Sequence, residues 1–144
     1  MKNKNIFCVL TTILIFSFVN INNIFAQIQT QDVQGEWVFD QMVIEGGGTK
    51  NERSEKFVED YNKSSKDNLV IKYLPDGKFI SQKSNQVNVE GSWSIVENKI
   101  KISTNYGDNF QDVKIDKNTK TLTLFVGGYD ENATTKTMII FKQK

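Results

Sequence analysis

The chain has 144 residues, with 18 basic and 17 acidic side chains, no histidine and a single cysteine. Without histidine, serine or cysteine hydrolysis with a histidine base is excluded, and the commonest ligand of transition metals is missing. The nearly neutral charge gives no electrostatic basis for binding nucleic acid or anionic lipid. We therefore expect a protein that is not an enzyme, needs no cofactor or metal, and has no nucleic-acid partner.

The first 26 residues have the layout of a secretory signal peptide. Lys2 and Lys4 precede an apolar run from Ile6 to Val19, and a polar stretch follows that ends at Ala26. This order of charged, apolar and small-residue regions predicts cleavage after Ala26. The apolar run is shorter than the roughly 20 residues of a membrane-spanning helix, although an uncleaved anchor is the alternative. We expect an exported protein, periplasmic or secreted, that does not span the membrane.

Cleavage at that point would remove Cys8, which stands too early to be the lipidated first residue of a lipoprotein. The mature chain, residues 27–144, would then contain no cysteine and could form no disulfide. Its stability must come from a packed core, and its length allows one such core. The predicted organisation is a signal peptide followed by a single domain.

The first mature strand is predicted from residue 35 to residue 44. Strict alternation would place Trp37, Phe39, Gln41 and Val43 on one face, with apolar residues also on the other. Three consecutive glycines at 46–48 then end the strand.

A helix is predicted between the first two strands, from about Lys50 to Asn62. Thr49 and Glu52 have the spacing of a capping box, and Phe57 and Tyr61 are four residues apart, on one helix face. A mobile polar loop is the alternative. The three glycines beside this helix would make a hinge.

The rest of the chain reads as short strands separated by turn residues, of which Pro75-Asp76-Gly77 is the clearest group. Residues 87–95 alternate most regularly between apolar and polar. The predicted strands after the insert are 69–74, 78–83, 87–95, 100–103, 110–115, 121–126 and 135–142. Eight strands connected up and down form either a closed barrel or two packed sheets. Because closure removes free edges, we predict an all-β, eight-stranded antiparallel barrel.

Three short motifs resemble those of the lipocalin-like proteins exported by bacteria, within the lipocalin and fatty-acid-binding barrel group. They are Gly35-Glu36-Trp37 on the first strand, the hairpin from Tyr73 to Phe79, and Gly91-Ser92-Trp93. The resemblance implies a barrel whose first-strand tryptophan lies at the closed end. It also implies that the insert from Gly46 to Asp67 covers the open end, either as a glycine-hinged lid or as a permanently packed helix. It often implies a late arginine packed over that tryptophan, but the only arginine here is Arg53, so this cover is absent or is provided by a lysine such as Lys142.

Seven residues are candidates for binding a small apolar or amphipathic molecule. If its face points inward, Gln41 is an amide among apolar neighbours, which is costly unless a ligand, a water or a backbone group bonds it. The alternative is that the end of the strand twists Gln41 toward solvent. Trp93 could line a cavity or could be part of the core, and Trp37 is interpreted as a plug. The full predicted set is Phe39, Gln41, Val43, Phe57, Tyr61, Tyr73 and Trp93.

The sequence is compatible with two functions. The first is an exported, non-catalytic lipocalin-like barrel that binds a small apolar or amphipathic ligand. The second is a solid barrel that serves as an interaction module for another protein or a cell-surface polymer, with Tyr106, Phe110 and Tyr129 as an exposed aromatic patch. An enzymatic function would have to rely on carboxylates, tyrosine or lysine, and no spacing in the sequence nominates a catalytic pair.

Overall fold

The computed structural model describes residues 27–46, 52–66, 68–127 and 134–144. The predicted signal peptide, the glycines at 47–48, Thr49 and Tyr129 lie outside these residues. The described elements are α1 (Thr30–Val33), β1 (Gly35–Gly46), α2 (Glu52–Ser65), β2 (Leu69–Tyr73), β3 (Lys78–Lys83), β4 (Gln86–Val96), β5 (Lys99–Thr104), β6 (Gly107–Gln111), β7 (Val113–Asp116), β8 (Thr121–Val126) and β9 (Thr135–Gln143). The all-β class is confirmed, as is a helix between the first two strands, and that helix continues to Ser65. Neither described helix is long and apolar enough to cross a membrane.

The described strands form one nine-stranded antiparallel sheet in the order β6-β5-β4-β3-β2-β1-β9-β8-β7. The predicted closed barrel of eight strands is not confirmed, because the sheet has two edges, β6 and β7. The physical reason is a change of partner inside the predicted strand 110–115. Residues up to Gln111 pair with β5, whereas residues from Val113 onward pair with β8. Since only Asp112 separates β6 from β7, the two edges of the sheet meet at this residue.

The two ends of the sheet carry different elements. The end at which β1 and β3 finish also holds α2 and the turn at Asn105 and Tyr106; we call it the α2 end. At the opposite end, called the α1 end, lie α1 and the β2–β3, β4–β5 and β7–β8 turns. Each candidate site described below lies at one of these two ends.

The inner face of the sheet carries a continuous aromatic and aliphatic core. Tyr73 lies 5.4 Å from Phe79 and 5.3 Å from Trp93 between ring centroids, and Phe39 makes an edge contact with Phe141 at 5.9 Å. The apolar core residues that lie deepest, all less than 2% exposed, are Val33, Trp37, Phe39, Tyr73, Ile100 and Leu122. Burial of this apolar surface is the main source of stability, since the described residues contain no disulfide-forming cysteine.

Two β-bulges interrupt the regular alternation. In β1, Phe39 pairs with Phe141 and Gln41 with Ile140, so that Asp40 is an extra residue. In β4 the extra residue is Asn88, because Ser81 pairs with Val89 and Gln82 with Val87. An extra residue reverses the side-chain alternation beyond it. Val87 therefore leaves the inner face and is 52% exposed, contrary to the prediction for this strand.

Helix α2 covers a free edge of β1. Strand β1 pairs with β2 only as far as Val38, although it continues along β9 to Gly46. Beyond Val38 the side-chain amide of Asn62 takes the place of a neighbouring strand. Its Oδ1 accepts from the N–H of Met42 at 2.6 Å, and its Nδ2 donates to the carbonyl oxygen of Met42 at 3.1 Å. The helix is thus attached to the backbone of the sheet as well as packed on it.

The short helix α1 closes the other end of the inner face, and the sequence did not predict it. The indole Nε1–H of Trp37 donates to the carbonyl oxygen of Val33 at 2.8 Å, and both side chains are almost fully buried. Trp37 is therefore covered by the N-terminal segment. Lys142, the residue considered for that cover, instead forms an ion pair with Asp40 at 3.0 Å.

Candidate functional site

A cavity of about 350 Å³ opens on the inner face at the α2 end. Its walls come from β3, β4, β5 and β6. Phe79, Val89 and Ile102 supply apolar surface, while Ser81, Thr104, Asn109 and Gln111 supply hydroxyl and amide groups. The volume falls within the ordinary range of small-molecule sites, and the mixture of apolar walls with a few polar groups is typical of them.

Two of these polar side chains have no hydrogen-bond partner among the described residues. Asn109 and Ser81 lie at positions of the inner face, opposite Ile102 and Val89 respectively. Asn109 is nevertheless exposed, because β6 lies at the edge of the sheet and is open along most of its length. The cavity therefore has a mouth beside β6, with polar groups available to a ligand that enters there.

The phenol of Tyr73 lies in the core and contacts two residues that line the α2-end cavity, Phe79 and Gln111. Its hydroxyl donates to Oε1 of Gln111, across the inner face, at 3.5 Å. Burial raises the pKa of Tyr73 far above its ordinary value of 10.0, so the group remains a neutral donor. Tyr73 is 1% exposed and does not itself line the cavity. It holds in place a glutamine that does.

A second cavity, of about 440 Å³, lies at the α1 end. The N-terminal segment forms one side, where the N–H of Ile28 donates to Oδ1 of Asn98 at 2.7 Å. Strand β7 and Phe125 form the other side. Two ion pairs border it: Asp32 with Lys117 at 2.7 Å and Asp112 with Lys99 at 3.0 Å. This α1-end cavity lies between the N-terminal segment with Asn98 on one side and β7 on the other.

None of the seven predicted site residues lines either cavity. Tyr73 and Trp93 do lie together, but in the core. The indole Nε1–H of Trp93 donates to the carbonyl oxygen of Leu74 at 2.9 Å, which secures the β2–β3 turn. Since the indole N–H of Trp37 is also bonded to the backbone, neither tryptophan offers its N–H to a ligand.

Three further predicted residues lie at or near the contact between α2 and β1. Tyr61 makes an edge contact with Phe39 at 5.6 Å between centroids and lies 6.2 Å from Phe57. Phe39 is buried and Tyr61 is partly buried against the core, but Phe57 is 57% exposed. Of the predicted pair of helix aromatics, Tyr61 alone packs inward. Tyr61 thus packs this face of α2 against the sheet.

The predicted orientation of Gln41 and Val43 is wrong. Both were expected to share a face with Phe39, but the bulge at Asp40 turns them to the outer face and brings Met42 inward. Gln41 is exposed, so its amide meets water rather than an apolar interior. It is therefore not the buried polar anchor that the alternation suggested.

Gly46 is fixed in place by close packing. Its φ of +136° is unfavourable for other residues, and a Cβ atom there would overlap the backbone of Thr134. The end of β1 is therefore clamped against the start of β9. The other two glycines of the predicted hinge lie outside the described residues.

Sequence reasoning missed Asn62, Asn109 and Gln111 as contributors to the ends of the fold. Asn62 was predicted as the last residue of a helix, and no periodic signal identifies an amide that bonds a strand edge. The residues of β6 alternate Asn109 and Gln111 inward with Phe110 outward, which is a strand pattern without apolar inner positions. That unusual pattern is the sequence signal that could have predicted the polar side of the α2-end cavity.

The described residues gather no cluster of three or more acidic side chains suited to a metal ion. No known family model matches the chain, and no curated protein matches it either.

Proposed function

We propose that this protein is an exported, non-catalytic lipocalin-like domain that binds one small amphipathic molecule in the α2-end cavity. The observation that carries the proposal is the composition of that cavity. Apolar surface from Phe79, Val89 and Ile102 lies beside the unpartnered side chains of Ser81 and Asn109. Such a site suits a ligand with an apolar body and one or two hydrogen-bonding groups.

A barrel-like closure of the sheet belongs to this proposal. Strands β6 and β7 would act as one strand that pairs first with β5 and then with β8. Two contacts support it: the N–H of Phe125 donates to the carbonyl oxygen of Asp112 at 3.0 Å, and Tyr73 bonds Gln111 across the inner face. In this arrangement the interior would be filled by the aromatic core and a ligand would occupy only the open end.

Export is supported by the position of the predicted cleavage site. The first mature residue would be Gln27, and the next residue, Ile28, is already bonded to Asn98. Cleavage after Ala26 would thus keep Ile28 and its bond to Asn98 in the mature chain. A cell-fractionation experiment with the full chain tests this, since retention of the uncleaved chain in the cytoplasm would contradict export.

The ligand proposal is tested by filling the cavity. Ser81→Phe places a large side chain on the cavity wall, whereas Gln82→Phe adds the same side chain on the outer face of the same strand. We expect native mass spectrometry of protein recovered from cells to show a retained small molecule in the parent and in Gln82→Phe, but not in Ser81→Phe. A bare chain in all three proteins, or equal retention in all three, would refute the site.

One observation favours the interaction module as a second candidate. Tyr106 is 85% exposed and Phe110 is 51% exposed, and both lie on or beside the edge strand β6. Lys101 stands 5.8 Å from the centre of the Phe110 ring and forms an ion pair with Asp108 at 2.6 Å. If a macromolecular partner copurifies and is lost in the double variant Tyr106→Ser and Phe110→Ser, this second function is favoured over the first.

A further inference from the structure

We propose that the free edge of β7, inside the α1-end cavity, binds a short, uncharged, extended peptide segment that adds to the sheet as another strand. This site is separate from the ligand site proposed above. The two cavities share no lining residue.

The change of partner at Asp112 leaves one side of β7 open. Strand β7 pairs with β8 from Val113 to Asp116 and has no backbone partner on its other side among the described residues. Backbone groups left at an edge must be satisfied by water or by another strand. The edge is only four residues long, which limits an added strand to about the same length.

The hydrogen-bond pattern identifies which residues present these groups. The N–H of Phe125 donates to the carbonyl oxygen of Asp112 at 3.0 Å, so Asp112 and Phe125 form a hydrogen-bonded pair. In an antiparallel ladder such pairs alternate with pairs whose backbone groups point away from each other. The next pair, Val113 with Leu124, is therefore of the second kind, as is Ile115 with Leu122. Val113 and Ile115 thus direct their N–H and carbonyl groups away from β8.

Val113 and Ile115 are also the residues of β7 that place apolar side chains beside the cavity. Their donor and acceptor groups are two residues apart on one extended strand, the spacing that a second strand matches. Ile28 and Phe125 provide further apolar surface. The cavity therefore combines a strand edge with walls that can accept apolar side chains.

The charges at the cavity favour an uncharged occupant. Both carboxylates that line it are already paired, Asp32 with Lys117 and Asp112 with Lys99. The charged side chains that line the cavity are two carboxylates, Asp32 and Asp112, and two lysines, Lys114 and Lys117, so the lining has no net charge to attract a cationic or an anionic segment. A neutral segment needs no counter-charge and satisfies the edge of β7 through its own backbone.

The test uses the uncharged peptide acetyl-Val-Thr-Val-amide and the full chain labelled with ¹⁵N. In the free protein, the amides of Val113 and Ile115 should exchange with solvent much faster than that of Lys114, whose N–H faces β8. Millimolar peptide should shift the resonances of Val113 and Ile115 and slow their exchange. Equal protection of Lys114 and its two neighbours in the free protein would overturn the proposal, because the edge would then be covered already.

Two controls decide whether pairing at this edge causes the shifts. The same peptide with N-methyl groups on both valines, the residues that would face Val113 and Ile115, cannot donate to β7 and should bind about tenfold more weakly. Ile115→Pro removes a free-edge N–H without removing a bond to β8, and it should abolish the response. Three results would each refute the proposal: equal binding of the methylated peptide, shifts confined to residues 107–111, or no shift at β7. The comparison with the methylated peptide uses the parent protein and so does not depend on the folding of a variant.

Discussion

Replacing Asn62 with alanine is expected to detach helix α2 from the sheet. Asn62 makes two hydrogen bonds to the backbone of Met42, at 2.6 and 3.1 Å, in a partly buried position. Two such bonds contribute about 2 kcal/mol in total, and leaving the groups of Met42 without partners raises the expected cost to about 3 kcal/mol. This loss is a large part of the stability of a small domain.

The assay is urea denaturation combined with hydrogen exchange at the amide of Met42. Lys63→Ala is the matched control, because Lys63 is the next residue on the same helix and is exposed. Asn62→Asp retains the acceptor for the N–H of Met42 but places a charged oxygen against the carbonyl oxygen of Met42, so its cost should be at least that of Asn62→Ala. The contrary result would be that Asn62→Ala changes the free energy of unfolding no more than Lys63→Ala does and leaves the backbone amide of Met42 protected. That result would show that the side chain of Asn62 does not hold α2 to the edge of β1.

Three further predictions concern other parts of the fold. Trp93→Phe removes the donor to the β2–β3 turn and should lower the free energy of unfolding by about 2 kcal/mol in urea titrations, with no change in any retained ligand. Gly91→Ala places a Cβ atom against a backbone carbonyl of β5 and should cost about 1–3 kcal/mol by the same measurement; an unchanged urea midpoint would contradict the close approach. A hydrogen bond from Lys144 holds the pKa of Glu36 below its ordinary value of 4.5. A carboxyl with a lowered folded-state pKa stabilises the fold above its unfolded pKa and loses that contribution as the pH falls, so stability should decline below about pH 4.5, and less steeply in Glu36→Gln.

Much of the fold could be predicted from local patterns, and the errors have specific causes. Period-two alternation and turn residues identified the strands, since both follow from backbone geometry within a few residues. The bulges at Asp40 and Asn88 could not be predicted, because each depends on the register of a partner strand. A single extra residue in β1 was enough to move Gln41 from the expected interior to the surface.

The change of partner at Asp112 is a second feature that alternation cannot reveal. Residues on both sides of Asp112 are extended, so the sequence indicates one strand, and only the pairing distinguishes β6 from β7. The same limit applies to helix α1, whose four residues are too few to give a periodic signal. Its role depends on a contact between Val33 and Trp37, which no local pattern encodes.

The predicted site residues and the observed cavities differ for a common physical reason. Large aromatic side chains such as Tyr73 and Trp93 suggest ligand contact in a sequence, but in a small domain without disulfides they are needed for the core. A residue that is nearly fully buried among its neighbours cannot also offer a surface to a ligand unless packing is lost. Space for a ligand is therefore expected where strand pairing is incomplete. Strands β6 and β7 create such space at both ends of the sheet. Strand β6 pairs with β5 but not with β8, whereas β7 pairs with β8 but not with β5. The two proposed sites thus arise from one local event, the change of partner at Asp112.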